Sequence, residues 1–158
     1  MGGKVVKYGY LFGPIVSVKI PAAASQNFEH LSGCFVKLDS AERADIAEAT
    51  DTELFGWAFI GDFTTSSTAG QTILTVNISL DAVYLMPINA AKTEAELQAL
   101  MGKVCDLIYT SNIQYADLAL STYDVIQLVG YEYWGSALGE QAVKVRLNPA
   151  KIGATGVV

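Results

Sequence analysis

The side chains of this chain that are able to do chemistry are carboxylates, two thiols and one imidazole. Acid pairs such as Asp51 with Glu53, or Glu132 with Glu140, are the arrangement that glycosidases use. The chain has sixteen acidic residues, however, so pairs at such spacings are inevitable. The carboxylates alone therefore do not indicate an active site.

The other reactive groups do not form a known catalytic or metal-binding pattern. His30 is the only histidine, and no GxSxG segment supplies a serine for it. Cys34 and Cys105 lack CxxC spacing and are typical of small buried residues, although a disulfide between them stays open. P-loop and GxGxxG segments are also absent. We therefore expect no catalytic residue, no cofactor and no metal site, and a protein that is not an enzyme.

Composition limits the kinds of partner. The chain of 158 residues is 51% hydrophobic and only 16% charged, which favours one well-filled domain whose apolar surface is covered in a homo-oligomer, a dimer or a trimer. The net charge of −6, without a cluster of Lys and Arg, argues against nucleic acid. No apolar run reaches the length that spans a membrane. Glycines and a proline interrupt the N-terminal apolar stretch, so we expect no cleaved signal peptide.

Short alternating segments separated by turn residues predict a mainly β fold. We expect a small antiparallel β-barrel or sandwich (β-tulip-like) with one inserted α-helix, in a single β-rich domain over residues 34–158. Thr93 and Glu96 form a capping-box pattern, and an apolar stripe at helical spacing follows them, which predicts a helix over 93–109. The predicted strands are 34–38, 44–49, 54–60, 74–80, 83–86, 115–120, 125–134 and 141–147.

One stretch of the chain has an echo further along. ADIAEATDTELFGWAFIG, residues 44–61, is similar to ADLALSTYDVIQLVGYEYWG, residues 116–135. This similarity predicts a pseudo-repeat of 44–87 and 116–148, with the helix between the two copies.

Residues 1–33 are predicted to form an extended arm, because β-prone residues alternate with Gly9, Gly13, Pro14 and Pro21. Such an arm either packs on its own domain or adds a strand to a partner's sheet. The candidate binding residues of the arm are Lys4, Val5, Val6, Lys7, Tyr8, Tyr10, Leu11, Phe12, Ile15 and Val16.

Four aromatic residues are candidates for subunit contacts, since large aromatic side chains often anchor cores and interfaces. They are Trp57, Tyr131, Tyr133 and Trp134. The alternative is a ligand-binding β-barrel in which Trp57, Tyr131 or Trp134 lines an apolar cavity.

Several of these segments together resemble a known family. LSGCFVKLDS, ADIAEATDTELFGWAFIG, the Ser/Thr/Gly loop and TILTVNISLDAVYLMPI are similar to the strand pattern of the capsid decoration (cement, or head-stabilising) proteins of tailed bacteriophages. The similarity covers residues 31–87, and QAVKVRLNPAKIG resembles the closing strand of virion structural proteins.

The resemblance implies a virion protein that is made in the host cytoplasm. It would bind the major capsid protein on the outer capsid surface and hold neighbouring coat subunits together against internal pressure, with an arm that orders on the capsid. Deletion of residues 1–26 would then leave a folded protein that no longer binds capsids. A self-assembling coat or tail component is a further alternative.

Overall fold

The computed structural model describes residues 8–29 and 33–153. Within them the alternating apolar residues form strands, because successive side chains of a strand point to opposite faces. The strands and the α-helix are β1 (Gly9–Phe12), β2 (Ser17–Pro21), β3 (Asn27–Phe28), β4 (Cys34–Leu38), β5 (Ala44–Ile46), β6 (Gly56–Ala58), β7 (Phe63–Thr64), β8 (Ile73–Asn77), β9 (Val83–Pro87), α1 (Glu94–Leu100), β10 (Val104–Thr110), β11 (Ile113–Asp117), β12 (Ile126–Tyr133) and β13 (Gln141–Leu147). Short 3₁₀ turns lie at Leu138–Glu140 and Pro149–Lys151.

The strands form two large antiparallel sheets and a small ribbon. The six-stranded sheet has the order β1-β9-β13-β12-β10-β11, and the five-stranded sheet has the order β2-β8-β6-β4-β5. Strands β3 and β7 pair as a separate ribbon. The predicted fold class, mainly β with one helix, is confirmed, and the sheets form an open sandwich-like arrangement rather than a closed barrel.

The five-stranded sheet is apolar on both faces. On one face Phe35 and Trp57 join a large core with the buried side chains of the six-stranded sheet. On the other face Cys34 and Val36 belong to a second cluster that includes Phe28 of the β3–β7 ribbon. The five-stranded sheet is therefore the middle layer, covered by the larger sheet on one side and by the ribbon on the other.

A buried glutamine ties the two sheets together. The side chain of Gln114, on β11, accepts a hydrogen bond from Phe35 N at 2.8 Å. It also donates to Phe35 O at 2.8 Å and to Ala47 O at 3.0 Å. Buried polar groups need such partners, so Gln114 fixes the six-stranded sheet against one strand and one loop of the other.

The predicted helix begins where expected but ends early. Thr93 and Glu96 form the predicted capping box, with Thr93 N donating to Glu96 Oε2 at 2.9 Å and Glu96 N donating to Thr93 Oγ1 at 3.2 Å. The prediction of helix up to residue 109 is wrong, because α1 ends at Leu100 and β10 occupies Val104–Thr110. Gly102 has a φ of 85° and donates its N–H to Leu128 O at 2.7 Å, which turns the chain out of the helix and into the sheet.

Two sets of five strands share one connectivity. We call β2, β4, β5, β6 and β8 the first unit, and β9, β10, β11, β12 and β13 the second unit. Numbered along the chain within each unit, the strands lie in the order first, fifth, fourth, second, third in both sheets. In both units the end of the first strand also forms a single parallel bridge to the third strand, Ala22 to Ala44 and Ile88 to Ala116.

The register of the ladders shows which residues correspond. Pro21 lies opposite Ile73 of the fifth strand, and Pro87 lies opposite Ala142 of the fifth strand. Pro21 of the first unit therefore corresponds to Pro87 of the second unit. The ADIA and ADLA segments also correspond, because Asp45 and Asp117 each pair with the second strand of their unit.

The rest of the sequence echo follows a different register. Gly56 corresponds to Ile126, since these residues pair with Val36 and Cys105 at equivalent positions of the second strands. Gly130, which the echo aligns with Gly56, lies four positions after Ile126, beyond the irregularity in the β12–β13 ladder. The repeat is therefore a repeat of topology, and its sequence similarity is in register only near Ala44 and Ala116.

The described part of the predicted arm is built into the protein's own sheets. β1 pairs with β9 at one edge of the six-stranded sheet, and β2 pairs with β8 at one edge of the five-stranded sheet. β3 pairs with β7. Of the two roles open to the arm, residues 8–29 take the first, packing on their own domain, so deletion of residues 1–26 would remove two sheet strands.

Candidate docking surface

Half of the large apolar side chains that are exposed in the described residues belong to one end of the sandwich. They are Leu11, Phe12, Ile15, Val16 and Leu80, which we call the apolar tip. Phe12, Ile15 and Val16 are 56%, 53% and 50% exposed. Residues 8–18 and 63–80, which lead into this end, contain no charged side chain, whereas the next residue, Asp81, is charged and exposed. An exposed apolar patch of this kind on a soluble domain is typical of a binding surface.

The apolar tip is formed by two connections that cross between the sheets side by side. The chain passes from β1 to β2 through residues 13–16, and from β8 to β9 through residues 78–82. Gly13 has a φ of 106°, and a Cβ atom there would lie 2.6 Å from Asp81 O and 2.9 Å from Ala82 Cα. Only glycine allows the two connections to pass this closely.

Asn77 holds both connections in place and is fully buried. Its Oδ1 accepts hydrogen bonds from Val16 N at 3.0 Å and from Ser79 N at 3.1 Å, and its Nδ2 donates to Tyr84 Oη at 3.1 Å. Ile78 N donates to Val16 O at 2.9 Å. The backbone of the apolar tip is therefore fixed before any partner binds, which lowers the entropic cost of binding.

The predicted arm residues divide into three groups. Lys4, Val5, Val6 and Lys7 lie outside the described residues. Tyr8 and Tyr10 face the protein itself. Tyr10 packs edge-on against Phe59 and Tyr84 and donates its hydroxyl to Gly13 O. Tyr8 is half-buried, and burial, together with the nearby Tyr115, raises the pKa of its phenol. Leu11, Phe12, Ile15 and Val16 are the exposed ones.

The apolar tip continues into the outer edge of β2. Ser17 and Lys19 are exposed, whereas Val18 and Ile20 are half-buried. Val16 O and Ala22 N bond toward the β8 side, to Ile78 N and Thr72 O at 2.9 and 2.8 Å. Because backbone groups point alternately to the two sides of an antiparallel strand, the N–H and C=O groups of Ser17 and Lys19 point away from β8, to the outer edge of the sheet.

The four aromatic candidates do not form a common surface. Trp57 is 2% exposed and stacks on Tyr84 with 4.7 Å between ring centroids, so it is a core residue and not available to a partner. The hydroxyl of Tyr131 donates to Glu94 Oε1 at 3.1 Å and accepts from Gln98 Nε2 at 2.8 Å, which holds α1 on β12. Tyr133 and Trp134 are half-buried at the end of β12.

Two buried carboxylates in the described residues accept hydrogen bonds from the backbone of loops. Asp106 Oδ1 accepts hydrogen bonds from Thr122 N, Tyr123 N and Asp124 N at 3.0, 2.7 and 2.8 Å. Asp51, one of the carboxylates considered above, accepts from Lys37 Nζ at 2.5 Å and from Glu48 N at 2.6 Å. Asp106 thus holds the 122–124 turn of a distant segment, and Asp51 closes a turn with the nearby Glu48.

The two thiols are free, buried and in different clusters, Cys34 in the small one and Cys105 in the large one. Burial raises the pKa of both thiols, that of Cys105 to about 12 with a smaller contribution from nearby aspartates. In the described part of the chain, no three His, Cys, Asp or Glu side chains come together as a metal site.

Among the open grooves that lie away from the apolar tip, two have mainly apolar linings. The larger, of about 380 Å³, runs between the end of α1 and β10 and is lined mainly by aliphatic side chains such as Leu100, Leu120 and Leu128. The other, of about 250 Å³, contains Tyr8 and Leu138. Neither is lined by Trp57, Tyr131 or Trp134, the residues that the ligand-binding alternative would use, and the cavity that Trp57 does line has a volume of only about 10 Å³.

A helix long and apolar enough to span a bilayer does not occur among the described residues. Comparison of the chain with models of protein families, with curated proteins and with solved structures gave no match. The functional argument therefore depends on the surface itself.

Two features of the apolar tip escape sequence reasoning. Leu80 appears only as the end of an alternating strand, and Asn77 appears only as part of a chance glycosylation pattern, Asn77-Ile78-Ser79. Nothing in the sequence indicates that residues 78–81 lie beside residues 13–16, since that contact depends on the crossing of two sheets.

Proposed function

We propose that this protein is a structural virion protein that binds the outer surface of a bacteriophage capsid and cements neighbouring coat subunits. It acts without catalysis, as an oligomer, through the apolar tip. The observation that supports this proposal best is the concentration of exposed apolar side chains on a backbone that is already fixed. The resemblance of the strand pattern to that of decoration proteins motivates the choice of partner.

The size of the apolar tip suits a partner that presents many copies of one site. Its five residues are 37% to 56% exposed, which places the patch within the range of a few hundred Å² that is typical of the largest apolar patch on a monomer. A standard stable interface buries about 800 Å² on each partner, so a single contact at the tip is weak. On a lattice, an oligomer engages several sites at once, and avidity multiplies the weak contacts.

The test is co-sedimentation of the full chain with capsids that lack it, prepared from the virus whose genome encodes it. We expect Phe12→Ser with Ile15→Ser to reduce the apparent affinity at least about thirty-fold, since two anchors contribute about 2 kcal/mol or more. Val129→Ser with Leu138→Ser is the matched control, because these side chains are as apolar and similarly exposed but lie elsewhere. Equal loss of binding in both double variants contradicts the proposal.

Light scattering on the free protein separates the alternatives. A closed dimer or trimer that binds capsids agrees with a decoration protein. Open-ended polymers that grow with concentration in the absence of capsids favour a self-assembling coat or tail component.

A further inference from the structure

The first strands of the two units correspond in sequence position and register, but they are covered differently. In the second unit β9 lies between β13 and β1, and all five of its residues are buried. In the first unit β2 has β8 on one side, and within residues 8–29 and 33–153 no strand forms a ladder along Ser17–Ile20 on its other side, where β5 reaches only the end of the strand through the bridge between Ala22 and Ala44. Burial shows the same difference, since Ser17 and Lys19 are exposed where Val83 and Leu85 are buried.

The open edge of β2 has the backbone geometry to receive a strand. Ser17 and Lys19 direct their N–H and C=O groups outward, as Val83 and Leu85 do toward β1. The prolines agree with this interpretation. Pro21 and Pro87 occupy the same outward position, where the missing N–H costs no bond to the neighbouring inner strand.

The pairing of β1 with β9 within the chain shows what kind of strand fits such an edge. Gly9 lies opposite Leu85, and Tyr10 lies opposite Tyr84. A strand that paired with β2 in the way that β1 pairs with β9 would place the residue equivalent to Gly9 opposite Lys19 and the residue equivalent to Tyr10 opposite Val18. Lys19 is exposed and has no ion-pair partner among the described residues. A carboxylate opposite Lys19, followed by an aromatic residue beside Val18, is therefore the complementary pattern.

We propose that the outer edge of β2 binds an extended strand of the partner protein, with an acidic residue opposite Lys19 and an aromatic residue next to it. The strand occupies the position that β1 occupies in the second unit and covers Ile15 and Val16 of the apolar tip. The identity of the partner as a coat protein rests on the proposed function, whereas the strand-binding edge does not. A second copy of this chain fits less well, because antiparallel pairing of two β2 edges brings the two Lys19 side chains to neighbouring positions.

The experiment uses two labelled synthetic peptides derived from residues 8–13, Tyr-Glu-Tyr-Leu-Phe-Gly and Tyr-Lys-Tyr-Leu-Phe-Gly, with blocked ends. Their binding to the full chain is measured by fluorescence anisotropy, and amide exchange of Ser17 and Lys19 is followed by NMR. We expect the glutamate peptide to bind about five-fold more tightly than the lysine peptide, since a cross-strand charge pair replaces a repulsion. It also slows exchange of both amides.

Lys19→Glu should reverse the preference between the peptides, while Lys103→Glu, a change at another exposed lysine, should leave it as it is. The proposal is overturned if the glutamate peptide leaves the Ser17 and Lys19 amides unprotected, or if its preference survives Lys19→Glu. Protection that arises without peptide and grows with protein concentration assigns the edge to a second copy and also overturns it. Capsid binding that fails while the peptide result holds refutes the proposed function alone.

Discussion

Replacing Gln114 by leucine tests whether one side chain holds the two sheets together. The change keeps the approximate volume and removes three buried hydrogen bonds that connect β11 with Phe35 and Ala47. Phe35 N and Ala47 O then lose their side-chain partner in a region that water does not reach. Phe35 O is affected less, because it still accepts from Ala47 N at 3.1 Å.

The expected loss follows from the two groups that are left without a partner. A buried donor or acceptor that loses its bond costs about 1–3 kcal/mol, and leucine recovers part of this through its apolar surface. We therefore expect Gln114→Leu to lower the free energy of unfolding by about 3 kcal/mol. That is a large share of the 5–15 kcal/mol typical of a folded domain.

Urea unfolding followed by circular dichroism and tryptophan fluorescence measures this loss. Trp57 lies against Phe35 with 4.9 Å between ring centroids, so its emission reports on the same contact. Gln127→Leu is the matched control, because the side chain of Gln127 is only half-buried and its bonds go to Arg146 and Gly102. A loss below 1 kcal/mol for Gln114→Leu, or an equal loss for Gln127→Leu, refutes the role of Gln114 as the tie between sheets.

Gln114→Glu adds a pH dependence with a definite sign. The ionised carboxylate still accepts from Phe35 N but faces two carbonyl oxygens, so the folded state favours its protonated form and raises its pKa above the unfolded value of about 4.3. The penalty is absent below that unfolded value and grows as the pH rises through the folded pKa. Relative to the native chain at the same pH, the variant should be less destabilised at pH 4 than at pH 7.

Two further predictions concern buried groups of the second unit and the thiols. Asp106→Ala leaves three backbone N–H groups of the 122–124 turn without their acceptor, so we expect a loss of about 2–4 kcal/mol in urea unfolding; a loss below 1 kcal/mol means that water replaces the carboxylate. Because burial raises the pKa of Cys34 and Cys105, neither thiol should react with a chromogenic disulfide reagent at pH 8 until urea is added, and prompt reaction in the native state contradicts their burial.

The strands were predictable where alternation is strict and the ends are marked. Strand β13 has the predicted bounds 141–147, because Val143, Val145 and Leu147 alternate with Lys144 and Arg146. The helix was predicted too long for a related reason. The apolar residues after Leu100 fit a helical stripe, but Cys105 and Leu107 also fit the alternation of a strand, and only tertiary packing decides between the two. In the sequence, Gly102 was the residue that could have indicated an earlier end of the helix.

Pairing partners were not predictable, because they depend on distant contacts. The glycines and prolines of residues 8–21 mark turns but do not indicate that β1 and β2 join different sheets. The candidate site could be predicted only in part, because it too depends on contacts between distant segments. Leu11, Phe12, Ile15 and Val16 were chosen from the sequence, whereas Leu80 reaches the same surface through the fold.

The position of β13 has a consequence for synthesis on the ribosome. β13 is the last strand of the described residues, yet it lies in the middle of the six-stranded sheet, between β9 and β12. The strands of the first unit have all emerged once Asn77 has left the exit tunnel, but most of the described residues that cover the face with Phe35 and Trp57 belong to the second unit. A nascent chain therefore displays this aromatic face to solvent and to chaperones until residue 147 has emerged as well.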